Sequence, residues 1–418
     1  MNIEKLSEIF QEPICDNCLG RQYAQLLSGF SNKERGNCLR LFFSFLIDGN
    51  LINQEVLNKL EPSNFKNFTF RQNKNFYELV KKSEIKKCKI CNDFFKEDIE
   101  KYVEKIIKKL KEYEFSTFLV GTKPSKEMLN SEEKLWEKIG ISFCEPIKAE
   151  INREIGKRLE KNTKKKAELK NPDISIILDL NENKINFQVK SLFILGYYKK
   201  LKRGFPQCKW GTPGKYKTSV EEEIGRPLLK ITKGKTHKFH GYGREDIDAL
   251  CLGDRAFVIE IKEPRKRNID LKDAMKKINK SNKIKVKGLK IVDMNVVRKI
   301  KEEHGDKEYR AEVVLDKPIK KEDLKKLKNL IGVIEQRTPL RVSHRRSDLI
   351  RKKYVKKISW KFINSKKFEI KIKTNAGLYI KELISGDNGR TKPSISEILQ
   401  RNAKCKKLDV IWLEKPKI

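Results

Sequence analysis

The sequence lacks any apolar run able to cross a membrane. Across 418 residues the longest, Leu41-Phe-Phe-Ser-Phe-Leu-Ile47, falls far short of the ~20 residues a span needs. Its opening, Met1-Asn-Ile-Glu-Lys, lacks the charged-then-apolar pattern of an export signal, so a cytoplasmic protein with no membrane partner is expected. Acidic residues are heavily outnumbered: 57 Asp+Glu stand against 95 Lys+Arg, a net charge of +38. Self-repulsion at that charge opposes folding, so the excess points to a polyanionic partner, nucleic acid foremost. A dinucleotide or methyl-donor loop is missing, because Gly241-x-Gly243-x-x continues with Asp246 where a third glycine is needed, and the strand follows the loop instead of preceding it. A Gly-x-x-x-x-Gly-Lys phosphate loop and a fixed-period repeat are absent as well.

What is present describes a folded, multi-domain chain. With 21 Phe, 11 Tyr and 4 Trp it is not generally disordered. Its length predicts two or three domains at ~150 residues each. The first 100 or so residues read as short helices. From Asp98 onward, Ile99, Tyr102, Val103, Ile106, Ile107 and Leu110 share one helical face. A helix around Ala149 to Leu159 precedes a hairpin whose strands are Ile174–Leu180 and Ile185–Val189, with the turn at Asn181–Lys184. A break is expected from Tyr197 to Lys217, marked by Gly204-Phe-Pro206 and Gly211-Thr-Pro-Gly214. Beyond it, alternation at Phe257/Ile259/Ile261, at Tyr309/Ala311/Val313/Leu315, over Lys367–Thr374 and over Leu408–Leu413 predicts strands among Lys-rich helices, an α+β domain with a mixed sheet.

Nine cysteines, an odd number, favour free thiols or metal over a disulfide framework. Cys15-Asp-Asn-Cys18 and Cys88-Lys-Ile-Cys91 each let two thiolates converge from one turn, and together they suit a closed, structural four-thiolate Zn²⁺ site. The wide gap between the pairs requires the intervening helices to fold back. Cys38, Cys144, Cys208, Cys251 and Cys405 read as small buried hydrophobes.

The stretch His240-Gly-Tyr-Gly-Arg-Glu-Asp-Ile-Asp248 carries the most chemistry. One reading is a Mg²⁺-dependent nuclease with Asp248, Glu260 and Lys262 as its acidic pair and water-polarising lysine. Another is a lone aspartate attacking a base or sugar, with Arg244 filling behind a flipped nucleotide and Asp246 as nucleophile. The residues alone leave both open, beside a binding module without activity.

Gly243-Arg-Glu-Asp-Ile-Asp248 resembles the catalytic motif of pseudouridine synthases, and specifically that of the archaeal tRNA pseudouridine-54/55 synthase family. The segment Glu335-Gln-Arg-Thr-Pro-Leu-Arg-Val-Ser-His-Arg-Arg346 resembles that family's arginine-rich segment, and residues 377–394, from Gly377-Leu-Tyr-Ile-Lys-Glu to Lys-Pro-Ser394, resemble its C-terminal motif. The hairpin ending Gly196-Tyr-Tyr-Lys-Lys-Leu-Lys-Arg-Gly-Phe-Pro-Gln207 looks like the end of a THUMP domain. The resemblance covers nearly the whole chain. It implies a zinc-bearing helical region over 1–100, a THUMP-like RNA-binding domain over 101–205 and a catalytic domain with a mixed, largely antiparallel sheet over 206–418. It further implies tRNA as partner, a monomer, no catalytic cofactor, and isomerisation of uridine at position 54, 55 or both. By the same resemblance Asp246 is the nucleophile, Lys381 its expected partner and Tyr309 the stacking aromatic. Tyr379, Ile380 and Leu408 then line the substrate pocket, and Lys262–Arg267 sits where the family has a thumb-like loop.

Overall fold

The structure, a computed structural model, describes residues 3–209, 211 and 215–417, so the Thr212-Pro-Gly214 part of the expected linker lies outside the described residues. The chain forms two compact units, Met1–Lys190 and Ser191–Ile418. No helix among the described residues is long and apolar enough to cross a membrane.

The first unit opens with helices. The longest of these, Asn32–Asp48, starts at a capping box in which Ser31 and Glu34 satisfy each other's backbone N–H groups. Phe10 packs on Phe43 and Phe65 with ring centroids 4.9 and 5.1 Å apart, so the helices between the two cysteine pairs do fold back on a common core. Ile99–Leu110 buries Ile99, Val103, Ile106 and Leu110, the face the periodicity marks. Ile147–Thr163 packs against the strand Thr117–Lys123. That strand lies parallel to Lys166–Ala167 and Ile174–Asp179, and the expected hairpin adds Lys184–Val189 antiparallel, giving four strands. The Lys164–Lys166 cluster, which reads as a loop, contributes the edge residue Lys166.

The second unit is built on ten strands. One flank runs Thr391–Lys392, Gly332–Arg337, Ile350–Asn364, Lys367–Thr374, Lys307–Leu315, Ala403–Leu413, all antiparallel. The other holds Leu250–Lys262, Leu192–Lys200 and Ile284–Val292, with Thr236–Gly241 also paired to Leu250–Lys262. The flanks join at one parallel seam, formed by only two residue pairs, Asp409 with Leu250 and Val410 with Cys251. Each flank has its own core: Val313, Phe368, Ile370 and Ile372 with the helical segments beside them on one side, Tyr198, Phe257 and Ile259 with Val220–Thr232 and Leu271–Ile278 on the other.

Tyr197–Lys200 is therefore not the start of a linker. It completes Leu192–Lys200, which hydrogen-bonds on both edges and is buried on both faces: Ile194 and Tyr198 face one core, Phe193 and Leu195 another. A strand covered on both sides reads as an unbroken apolar run, which hides its membership in the second sheet behind the hairpin that precedes it.

Candidate active site and metal centre

Strands that meet along two residue pairs and then diverge leave a cleft at their parting, and the loop Tyr242–Ala249 enters the sheet at that point, directly before Leu250. A buried network fixes this loop. Glu245 is fully buried, ion-paired at 3.1 Å to the equally buried Arg255, and accepts the Tyr198 hydroxyl at 2.9 Å. Arg255 Nη1 donates to the Tyr242 carbonyl at 2.9 Å, and Gln207 Nε2 donates to the Gly243 carbonyl at 2.9 Å. Lys200 Nζ donates to the carbonyls of Asp246 and Ile247 at 3.1 and 2.9 Å. Arg203 anchors the seam strand itself, donating to the Asp248 and Leu408 carbonyls and pairing with Asp409. The peptide groups are satisfied from behind, so the Asp246 side chain faces outward.

That carboxylate is one-third exposed (33%) and is held by two cations: Lys381 Nζ lies 3.3 Å from Oδ2 and Arg341 Nη1 3.5 Å from Oδ1. Lys381 does not serve Asp246 alone. Its nearer contacts are to Asp248 at 2.7 and 2.8 Å. Burial works against charge on both residues, yet the bond between them prevails, lowering Asp248 and raising Lys381 from their ordinary values. Arg341 in turn is braced by the buried Glu382 at 2.6 Å.

Around Asp246 lies a cavity of about 430 Å³ lined by Tyr309, Tyr379, Ile380 and Leu408 among others. Arg244 lines it too. Ile380 begins the short helix Ile380–Ser385, and Leu408 lies on the seam strand; both are buried with their apolar flank core while reaching the cavity wall. Tyr309 is half-buried, and burial pushes its hydroxyl up to about 12, so the ring stays neutral. Tyr379 is fixed by two backbone bonds with the Gln336 amide, and its hydroxyl accepts Arg346 Nη1 at 2.7 Å. The structure thus gathers Asp246, Tyr309, Tyr379, Arg244, Ile380 and Leu408 around one cavity, with Lys381 reaching Asp246 from the adjoining hollow that also holds Asp248.

It does not gather the nuclease set. Leu250–Lys262 is one continuous strand, which carries Glu260 ~33 Å along from Leu250 at ~3.3 Å per residue. Asp248 pairs with Lys381, and Glu260 accepts Ser191 Oγ at 3.0 Å and lies 3.1 Å from His240 Nε2. With the carboxylates at opposite ends of a strand, Asp248, Glu260 and Lys262 cannot share an ion. The expected thumb-like loop leaves that far end, where the N–H groups of Arg265 and Lys266 donate to the Thr232 carbonyl.

Several contributors carry weaker sequence signals. Arg341 lies inside the arginine-rich segment but has no feature that singles it out from its neighbours. Glu245 reads as one more carboxylate of the loop, and only the fold reveals it as buried. Lys307 stands two residues before Tyr309, on the same face of the same strand.

In the first unit, the thiols of Cys15, Cys18, Cys88 and Cys91 all lie within 4.8 Å of one another, Cys15 and Cys91 at 3.6 Å. Four sulfurs at ~2.3 Å from a tetrahedral Zn²⁺ would stand ~3.8 Å apart, so the arrangement fits a metal ion. Lys89 N–H donates to the Pro13 carbonyl at 2.8 Å and so docks the two turns. Asn92 and Asp93, both left-handed, close the second turn, with Asp93 accepting the Cys88 N–H at 3.0 Å. Buried Arg21 donates to Cys18 Sγ at 3.4 Å and pairs with Glu132 and Glu150, tying the first thiol turn to the helices that carry those carboxylates.

The cleft at the seam thus sets the Asp246 carboxylate among basic side chains, the layout of an enzyme site for an anionic substrate, and comparison with known proteins makes it specific. The family model described as "Pus10, C-terminal" matches residues 193–414, and "Pus10 THUMP domain, archaeal" matches residues 102–179. Curated relatives named tRNA pseudouridine synthase Pus10 include one from Methanothrix thermoacetophila, 38% identical over 96% of this chain and 91% of its own. Those from Methanocaldococcus jannaschii and Pyrococcus furiosus are 39% and 37% identical, covering 96% and 98% of this chain and 91% and 97% of theirs. The chain belongs to the Pus10 family of tRNA pseudouridine synthases.

Proposed function

We propose that this protein converts uridine to pseudouridine in tRNA, at position 54, 55 or both of the TΨC arm, with Asp246 as nucleophile and no catalytic cofactor. The observation that carries the reading is the partly exposed Asp246 carboxylate, placed in a basic cavity beside a half-buried aromatic ring, Tyr309. The reaction breaks the N-glycosidic bond, turns the uracil and rejoins it to the sugar through carbon. The proton displaced from that carbon is balanced by the one gained at the freed ring nitrogen, so nothing enters or leaves overall.

To reach the cleft the uridine leaves its stack, at a cost of a few kcal/mol. Stacking on Tyr309 offsets part of this. Lys381 and Arg341 hold the Asp246 carboxylate in place by ion pairs at 3.3 and 3.5 Å. Arg244 and Tyr379 contact the extruded nucleotide, and Ile380 and Leu408 pack against it. The first unit, with its THUMP domain, holds the tRNA through phosphate contacts and shape. Structural Zn²⁺ on Cys15, Cys18, Cys88 and Cys91 orders that unit. The test is incubation with an unmodified tRNA transcript, with and without EDTA, followed by mapping of pseudouridine. The expected product is pseudouridine at 54 or 55 in both samples. Strand cleavage abolished by EDTA, or binding with no modified uridine at all, would overturn the assignment.

A further inference from the structure

The cavity that holds Asp246 is more basic than its chemistry requires. Arg244, Lys307, Arg341, Arg346, Arg351 and Lys353 line it against two carboxylates. Both carboxylates are engaged, Glu245 with Arg255 and Asp246 with Lys381 and Arg341. Arg346 donates to the Tyr379 hydroxyl and Arg351 to Thr338. Arg244, Lys307 and Lys353 are left, and among the described residues none of the three has an ion-pair or hydrogen-bonding side-chain partner; Arg244 lies on the Asp246 loop itself, and Lys307 Nζ sits over the Tyr242 ring at 5.9 Å.

Their placement is specific. Lys307 and Tyr309 are two residues apart on one strand, so both side chains leave the same face, ~6.6 Å apart along it. Each ammonium is drawn against a backbone turn that only glycine leaves open. A Cβ on Gly243 (φ +72°) would stand 2.7 Å from Lys307 Nζ, and one on Gly377 (φ +89°) 2.9 Å from Lys353 Nζ. Gly243 opens the loop carrying Asp246, and Gly377 the segment carrying Tyr379 and Lys381. The two lysines therefore sit at the roots of both halves of the site. Burial, with Arg255 and Lys353 nearby, brings Lys307 down to about 8, the cost of a buried cation awaiting its counter-charge.

We propose that Lys307 and Lys353 form a phosphodiester subsite beside Tyr309, receiving a backbone phosphate that flanks the extruded uridine. The proposal rests on the reading of the cleft as a uridine-isomerising site. An incoming phosphate supplies the missing negative charge, and its arrival along one strand repeat from the stacked base fixes the nucleotide's direction through the cleft. Such contacts carry register and not sequence.

The test uses the full-length protein and a tRNA ligated from synthetic pieces, with a neutral methylphosphonate replacing either linkage next to the target uridine. Wild type on the all-phosphate tRNA comes first: if no uridine is isomerised, the functional reading itself falls. With that activity in hand, Lys307→Gln and Lys353→Gln should each lower kcat/KM about tenfold and flatten the slope of log affinity against log salt by roughly 0.7–0.9. Lys307→Arg should retain most activity. One of the two neutral linkages should cost wild type a similar factor and cost Lys307→Gln little further. If both linkages penalise wild type and variant equally, the lysines do not meet a flanking phosphate and the proposal is wrong. Should Lys307→Gln fail to fold, the same comparison made with Lys353→Gln, on the longer strand Ile350–Asn364, decides it.

Discussion

At the scale of single residues, the cleft sets two aspartates side by side with different surroundings. Asp246 has Lys381 and Arg341, whereas Asp248, two-thirds exposed (68%), has Lys381 only. In the proposed reaction Asp246→Asn removes the nucleophile at constant size, so turnover on a tRNA transcript should fall by at least ~10³-fold. Affinity at fixed salt should hold or rise, since a negative charge near a polyanion is gone. Asp248→Asn releases Lys381 to Asp246 and should be mild by comparison; an active Asp246→Asn beside a dead Asp248→Asn would move the nucleophile to the other residue. Tyr309→Phe should stay near wild type, and Tyr309→Ala should lose roughly 1–3 kcal/mol of stacking, about ten- to hundredfold in kcat/KM. The residues that meet the cavity were mostly legible, because they sit in local motifs whose order survives in the chain. What was not legible is how they share charge. Lys381 divides itself between Asp246 and Asp248, and Arg341 arrives from a segment 95 positions away in sequence. Pairings of that kind belong to the fold and leave no spacing to read.

One element, the loop Tyr242–Ala249, shows how a sheet can present a carboxylate without distorting it. Glu245 and Arg255 neutralise each other inside the flank, and Tyr198, Gln207 and Lys200 tie the backbone down. Removing one partner of a buried pair strands the other charge, at about 3–5 kcal/mol. Glu245→Gln should therefore lower the melting temperature by on the order of 10 °C, measured by thermal denaturation. A melting temperature unchanged within error would mean that the pair does not hold the loop. Strands with one buried face, such as Lys367–Thr374 and Lys307–Leu315, show plain alternation and were legible to within a residue or two. Leu192–Lys200 and Ile350–Asn364 were not. The first is buried on both faces, and the second hides a mostly exposed 15-residue strand among lysines that equally suit a solvated helix.

On the scale of the whole molecule, the chain divides its tasks between a unit stapled by four thiols and a unit built on a seam. If the thiols hold structural zinc, purified protein should carry about one Zn²⁺ per chain. Cys88→Ser should lower that content and destabilise the first unit. Metal analysis by mass spectrometry, alongside thermal unfolding, tests this; zinc-free protein prepared without chelator would remove the metal from the account. The seam has a consequence of another kind. Between the cores of the two flanks lies a small separate cluster of Cys251, Val410 and Leu413, with Tyr309 packed against it. Each flank can then drift on its own over evolutionary time. Length changes among relatives should collect at the outermost strands, Thr391–Lys392 on one side and Ile284–Val292 on the other, and should spare the few residues that stitch the halves together.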